Sequence, residues 1–320
     1  MNTRKMTEAA MLSALFVVIS LIAMSTGIAY SIYLDIIVPV FVAVIYLKCG
    51  FRYSVLSTIV SLIIIGFIIG NIGSAIWISQ SILVGFACAI LILKDTNIGD
   101  DIFYSSIFAC FIMVIIDIYF SGLLGFSFMK EFEQYINMIP IDEQFREIMF
   151  YIFVAALPVG TIITTYIGTL FIGKKLRVLN KHAEYKYSIL TKGKNYWSFI
   201  CCSQKTINIG IMFLIFMEIL GRFNYKLDHT YIKAITVSIE YIVLYSVIKD
   251  SYGFFSRYVY TKIKSRVLNL ILGIAVIVLL IKMFKITTFV LIISNIFINK
   301  TFHMREKQIK ALNYHMNEIL

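Results

Sequence analysis

The chain has 320 residues, of which 60% are hydrophobic and 15% charged, and its formal net charge is +11. Soluble domains carry about a quarter charged residues, so this composition excludes an ordinary soluble enzyme and makes a bilayer the solvent for most of the chain. The Lys and Arg surplus falls in short segments between apolar runs, as in cytoplasmic loops, and points to topology rather than to a nucleic-acid partner.

In chain order, hydropathy and length predict about ten apolar runs, near 7–30, 33–47, 53–70, 74–93, 102–126, 148–172, 203–221, 231–248, 267–282 and 285–299. The second and the last two are short, and pairing or tilting them lowers the count to eight. The expected fold is all-α, a polytopic transmembrane bundle of about 8–10 spans. The first run follows Arg4 and Lys5 but is longer than a signal-peptide core and has no A-x-A cleavage site, so it reads as a retained helix.

Charge orients the runs. Segment 173–195 carries Lys174, Lys175, Arg177, Lys181, Lys186, Lys192 and Lys194 against Glu184 alone, and reads as cytoplasmic. Segment 127–147 is poor in Lys and Arg and reads as external. Propagating from this pair places both termini in the cytoplasm, with the Lys282/Lys285 turn as the one exception. Two stretches read as interfacial helices: 128–147, where Phe128, Phe132, Tyr135 and Ile136 mix with acids, and 250–266, where aromatics alternate with Arg and Lys. The resulting organisation is a six-helix membrane bundle (1–172), a basic cytoplasmic segment (173–195), C-terminal membrane helices (196–299) with an interfacial helix near 250–266, and a cytoplasmic tail (300–320).

Ionisable groups inside a bilayer are expensive and are functional candidates by default. Asp117 lies well within the fifth run and Glu240 near the middle of the eighth, each close to tyrosines. A carboxyl there either lines a solute pocket, with Tyr241 and Tyr245 as hydrogen-bonding neighbours, or is satisfied by such a neighbour for packing alone. Asp35 and Glu218 lie nearer run ends, and Glu218 has the spacing of a helix ion pair with Arg222. Asn71, Gln80, Asn208 and Asn295 read as helix–helix glue. Gly66-x3-Gly70 and Ala10-x3-Ala14 allow close backbone approach, most simply within the bundle itself. Pro158 frees a backbone carbonyl in the sixth run, with Thr161, Thr164 and Thr165 at hand to compensate.

Several chemistries lack their parts. The sequence has no G-x4-G-K-[ST], no H-E-x-x-H and no G-x-S-x-G. Its four histidines fall outside the apolar runs, and Cys49, Cys88, Cys110, Cys201 and Cys202 show no metal-ligand spacing or disulfide framework. We expect no enzymatic activity, no cofactor and no metal.

The opening Thr7-Glu-Ala-Ala10-Met-Leu-Ser-Ala14-Leu resembles the start of the YybS-like family of bacterial membrane proteins. The far end is also similar, a late pair of spans leading into Asn299-Lys-Thr-Phe302-His-Met-Arg305-Glu-Lys307. This chain has Asn299 where the family has Asp, and Met304 where it has a second Phe. The same opening resembles the first helix of S components of energy-coupling-factor transporters, whose A-x3-A face packs against a membrane coupling subunit. These resemblances imply a multi-pass protein of the bacterial plasma membrane, with Ala10 and Ala14 as the partner-helix face. The expected function is capture of a small solute near Asp117, Glu240, Tyr241 and Tyr245, with energy from a partner. The alternative is a scaffold or regulator of envelope, division or sporulation machinery. Partners would be membrane lipids and a coupling subunit or envelope protein.

Overall fold

The computed structural model describes residues 3–26, 33–70, 72–125, 127–140, 142–192, 200–222 and 230–317. Among these residues the chain is helical, without strands. In order the helices are α1 (Thr3–Thr26), a π-helical turn (Tyr33–Ile37), α2 (Val38–Cys49), α3 (Phe51–Ile69), α4 (Ile72–Leu93), α5 (Ile98–Leu124), α6 (Phe128–Asn137), α7 (Glu143–Lys175), α8 (Lys181–Lys192), α9 (Gln204–Arg222), α10 (Thr230–Ile263), α11 (Arg266–Lys282), α12 (Phe284–Phe302) and α13 (Met304–Asn317).

Six of these, α1, α3, α4, α5, α7 and α9, are long and apolar enough to cross a membrane, or seven spans if α12 and α13, bent by 67° at their junction, count as one. The number is below that of the apolar runs for identifiable reasons. The 33–47 run forms the π turn and the 12-residue α2, only about 18 Å of helix at 1.5 Å per residue. The 231–248 run and the basic, aromatic stretch from 250 as far as Ile263 share one uninterrupted helix, α10, whose charges dilute its apolar character, and Arg266 opens α11. The 267–282 run gives a helix of 17 residues.

The described chain divides into two compact units. The first comprises Met1–Thr96, Asp101–Tyr187 and Lys226–Ile242, the second Asn97–Asp100, Ser188–Tyr225 and Val243–Leu320.

In the first unit α2 is the hub, packed by α1, α3, α4 and α7. Its sequence is apolar on every side, the pattern of a fully buried helix, and Val38, Val40, Val42, Ala43, Val44 and Ile45 are all buried. Pro39 sits in its first turn, where no intrahelical donor is needed. The closest backbone approach is between α2 and α4: a Cβ on Gly85 would stand 2.5 Å from the Pro39 carbonyl oxygen. At Gly66, by contrast, a Cβ would meet that of Ala75 at an ordinary 3.6 Å. Gly50 and Gly70, at φ 85° and 66°, turn the chain out of α2 and α3, a conformation in which a side chain would be strained.

α1 lies on α3 through a polar seam. Ser13 Oγ lies 2.7 Å from Ser61 Oγ and donates to the Ser57 carbonyl at 3.1 Å, and Ser20 is hydrogen-bonded to the Tyr33 hydroxyl. The buried face of α1 is therefore Ala9, Ser13, Phe16, Val17 and Ser20.

α6 is the short amphipathic helix expected in 128–147. Met129 and Ile136 are buried while Glu133 and Tyr135 face outward, and Phe128 rests on Trp77 with ring centroids 4.9 Å apart. In α7 the Thr164 hydroxyl donates to the carbonyls of Gly160 and Thr161. It serves its own turn, not the carbonyl that Pro158 leaves without a donor.

In the second unit side-chain amides link helices. Asn295 donates to Ser251 at 3.0 Å, Asn299 to Gln204 at 2.7 Å, and Ser256 to Asn269 at 2.9 Å. Lys285, the exception in the charge pattern, donates to both oxygens of Glu218 at 3.2 Å. Asn208 accepts from Gln204 on its own helix. Asn71 lies outside the described residues.

Candidate functional sites

Asp117 is 4% exposed on α5. Its two carboxylate oxygens accept from Ser127 Oγ and from the Phe128 N–H, each at 2.8 Å. Ser127 is itself the N-cap of α6, accepting from the Lys130 N–H. The carboxylate thus ties the start of α6 to α5, where a negative charge meets the helix's unpaired N–H groups and its positive dipole end.

Glu240 and Tyr241 occupy a different setting. Tyr241 packs on the cluster of Met113, Val114, Met129, Tyr151, Val154 and Ala234, and Glu240, Glu147 and Tyr151 act on its phenol electrostatically. Beside it Lys233 donates to Glu147 Oε1 at 2.6 Å and lies 6.0 Å from the centroid of the Tyr151 ring. α7 and the start of α10 together present one cation, two carboxylates and two phenols, a set able to hold a small cationic or hydrogen-bonding solute. Tyr245 is 59% exposed and belongs to the second unit.

A third cluster was not singled out from the sequence. Lys186, on α8, is 1% exposed. Its ammonium donates to Asp101 Oδ2 at 2.7 Å and to the carbonyls of Leu91 and Lys94 at 2.8 Å each. Asp101, in the first turn of α5, also accepts from the Tyr166 hydroxyl at 2.6 Å and from Thr96. Burial lowers the Lys186 pKa, against the opposing pull of Asp101. The lysine thereby satisfies carbonyls at the C-terminal end of α4, where a cation is favoured. The available signal was periodicity: Ala183, Lys186 and Ile189 recur at helical spacing and are all buried, so the lysine interrupts an apolar stripe within an otherwise solvated basic segment.

Ala10 and Ala14 are both exposed on α1, as are Met11, Leu15 and Val18, while the adjacent positions Ala9 and Ser13 are buried. The packing of α1 within the chain therefore leaves the A-x3-A face uncovered by described residues.

All five cysteines are free and buried. Burial pushes the Cys201 thiol up to about 11 and raises that of Cys202 as well, with Asp250 adding to both.

With this geometry in hand, the comparisons bear on the N-terminal part. A sequence model of a family described as "Predicted membrane protein (DUF2232)" matches residues 14–142, from within α1 to just beyond α6. No curated protein and no solved structure matches the chain. It is a multi-pass helical membrane protein.

Proposed function

We propose that this chain is a membrane-embedded recognition subunit of the bacterial plasma membrane, with both termini cytoplasmic. It docks on a membrane partner through the Ala10/Ala14 face of α1 and captures a small solute in its first unit. This is the working mode of an S component. The observation that carries the reading is the uncovered A-x3-A face on a helix whose opposite, serine-lined face is already used against α3. Small residues gain their association energy in lipid by letting backbones approach, and within the described chain no helix takes that opportunity here.

Glu240 and Tyr241, with Glu147, Tyr151 and Lys233, are the residues we assign to the solute. Asp117 is a positioning residue for α6, because each of its oxygens accepts from the start of that helix, at Ser127 and Phe128. The test has two arms. Photo-crosslinkers at Ala10 and Ala14 in native membranes should capture one membrane protein, and Ala10→Trp with Ala14→Trp should abolish its co-purification. A thermal-shift screen of cationic and polar solutes should find one whose stabilisation is lost in Glu240→Gln and retained in Asp117→Asn. Capture of lipid alone together with no responding solute would reject the reading.

A second reading, a scaffold or regulator for envelope, division or sporulation machinery, is favoured by one observation. Lys186 fastens α8 to the first unit while Lys174, Lys175 and Lys181 stay exposed, a fixed basic surface suited to an acidic partner or anionic lipid. Replacing those three lysines by Gln should then weaken partner recovery while the alanine face is intact.

A further inference from the structure

The second unit contains a buried arginine whose nearest carboxylate does not hydrogen-bond it. α12 ends at His303, a non-glycine residue at φ 48°, and the chain bends there by 67° into α13. The bend carries Arg305 and Gln308 inward, at 2% and 5% exposure. Being three residues apart, they share one face of α13. The Arg305 guanidinium lies 4.9 Å from the centroid of the Phe254 ring, and its Nη1 donates to the Cys202 carbonyl at 2.7 Å. Asp250 Oδ2 is 3.9 Å from Nη2, beyond hydrogen-bond reach, and already accepts from the Cys202 N–H at 2.8 Å. Nε and Nη2 of Arg305 and both amide atoms of Gln308 have no hydrogen-bond partner among the described residues.

A second guanidinium, that of Arg257, sits 5.4 Å from the same Phe254 ring, its Nε donating to the Gly253 carbonyl. Lys249, which is exposed, Arg257, which is half-buried, and Arg305 all act on Asp250 electrostatically, and the buried Asp100 acts with Asp250 on the neighbouring Cys202.

Buried donors without acceptors are strongly unfavourable, the more so on a charged group. An anion that offers several acceptor oxygens removes that cost. The guanidinium fork matches carboxylate and phosphate oxygens, and a phosphate group offers further oxygens that also accept from an amide N–H. We propose that Arg305, Gln308 and Arg257 form a phosphate-binding site in the second unit, taking either a phospholipid headgroup or free phosphate. The site is separate from the α1 face and from the Glu240 cluster and does not depend on the reading of either.

The test uses the full-length chain in a neutral detergent, with unfolding followed by a thiol-reactive dye that reports exposure of the buried cysteines. Inorganic phosphate and a short-chain phosphatidylglycerol are titrated separately, with chloride at matched ionic strength as the control. One of the two should raise the unfolding temperature saturably, as a ligand of the folded state must. A response to inorganic phosphate identifies free phosphate as the ligand, and a response to the lipid alone identifies the headgroup. The response should be lost in Arg305→Gln and kept in Lys307→Gln, an exposed neighbour. Gln308→Glu supplies a carboxylate beside Arg305, so it should raise the unfolding temperature without ligand and remove the phosphate response. That combination distinguishes loss of a site from loss of folding. No shift with either ligand, an equal shift with chloride, or a full shift persisting in Gln308→Glu would overturn the proposal.

Discussion

At the scale of single residues, Lys186 and Asp101 show how a charge can be affordable in an apolar setting. Each is almost wholly buried, and Asp101 is held by three donors while the ammonium reaches four acceptors. Removing one member leaves the other charged and buried, a loss of about 3–5 kcal/mol, whereas replacing both by apolar groups is much less damaging. Lys186→Met should therefore destabilise the protein more than Lys186→Met with Asp101→Leu, and denaturant titrations of the single and double variants in detergent check the order. The cysteines supply a second residue-scale expectation. Cys201 and Cys202 are buried, with thiols held above their ordinary range, and the thiolate is the reactive species. Both should resist maleimide labelling at neutral pH until the protein is denatured, as mass-spectrometric counting of adducts would read.

At the scale of elements, the contacts that matter lie beside those that sequence patterns mark. The Gly66-x3-Gly70 pair advertises close packing, yet the tightest helix approach in the first unit is Gly85 against Pro39. A lone glycine in an apolar run carries no spacing signal, because its importance comes from which backbone happens to cross it. Gly85→Val should cost several times what Gly66→Ala does, since its Cβ would meet the backbone of α2 and over-packing of that kind costs about 1–3 kcal/mol or more. Thermal unfolding of the two variants separates the cases. Asp117 gives a similar lesson. Its depth in an apolar run was plain from the sequence, but its partners sit ten and eleven residues further on, where the chain doubles back into α6. Asn at position 117 presents one acceptor oxygen instead of two, so Asp117→Asn should weaken the start of α6 by about 1 kcal/mol, within the range for a lost cap. Faster amide exchange confined to residues near 128–131 would report it.

At the scale of the whole molecule, the charge pattern and the helices make a statement about topology. Basic residues gather in 173–195, in the C-terminal part of α10 and in the tail, and the Glu218 carboxylate faces Lys285, the residue that ran against the pattern. Reporter fusions after residue 185 and at the C-terminus should both score as cytoplasmic, with a fusion near residue 135 scoring as external. With a cytoplasmic N-terminus this requires the 33–49 segment and one helix after α9 to cross in addition to the six long helices. An external score for the C-terminal fusion would mean an odd number of crossings and would move the Arg305 cluster to the opposite face of the membrane.

Composition and hydropathy alone determined the solvent, the secondary structure and the identity of most long helices. These follow from local physics: in a bilayer each backbone polar group must be satisfied within its own segment, so a long apolar run has little choice but a helix. The amphipathic helix at 128–137 was legible for the same reason, from its own periodicity. Tertiary structure decided everything that depends on a partner distant in sequence. It made the short 38–49 segment the hub of the first unit, joined the 231–248 run to the following stretch as far as Ile263 in one helix, and left Ala10 and Ala14 uncovered while burying Ala9 and Ser13. It also brought Lys186 to Asp101 across 85 residues and Arg305 to Cys202 across 103. Such pairings come from the way helices cross, which no local pattern encodes.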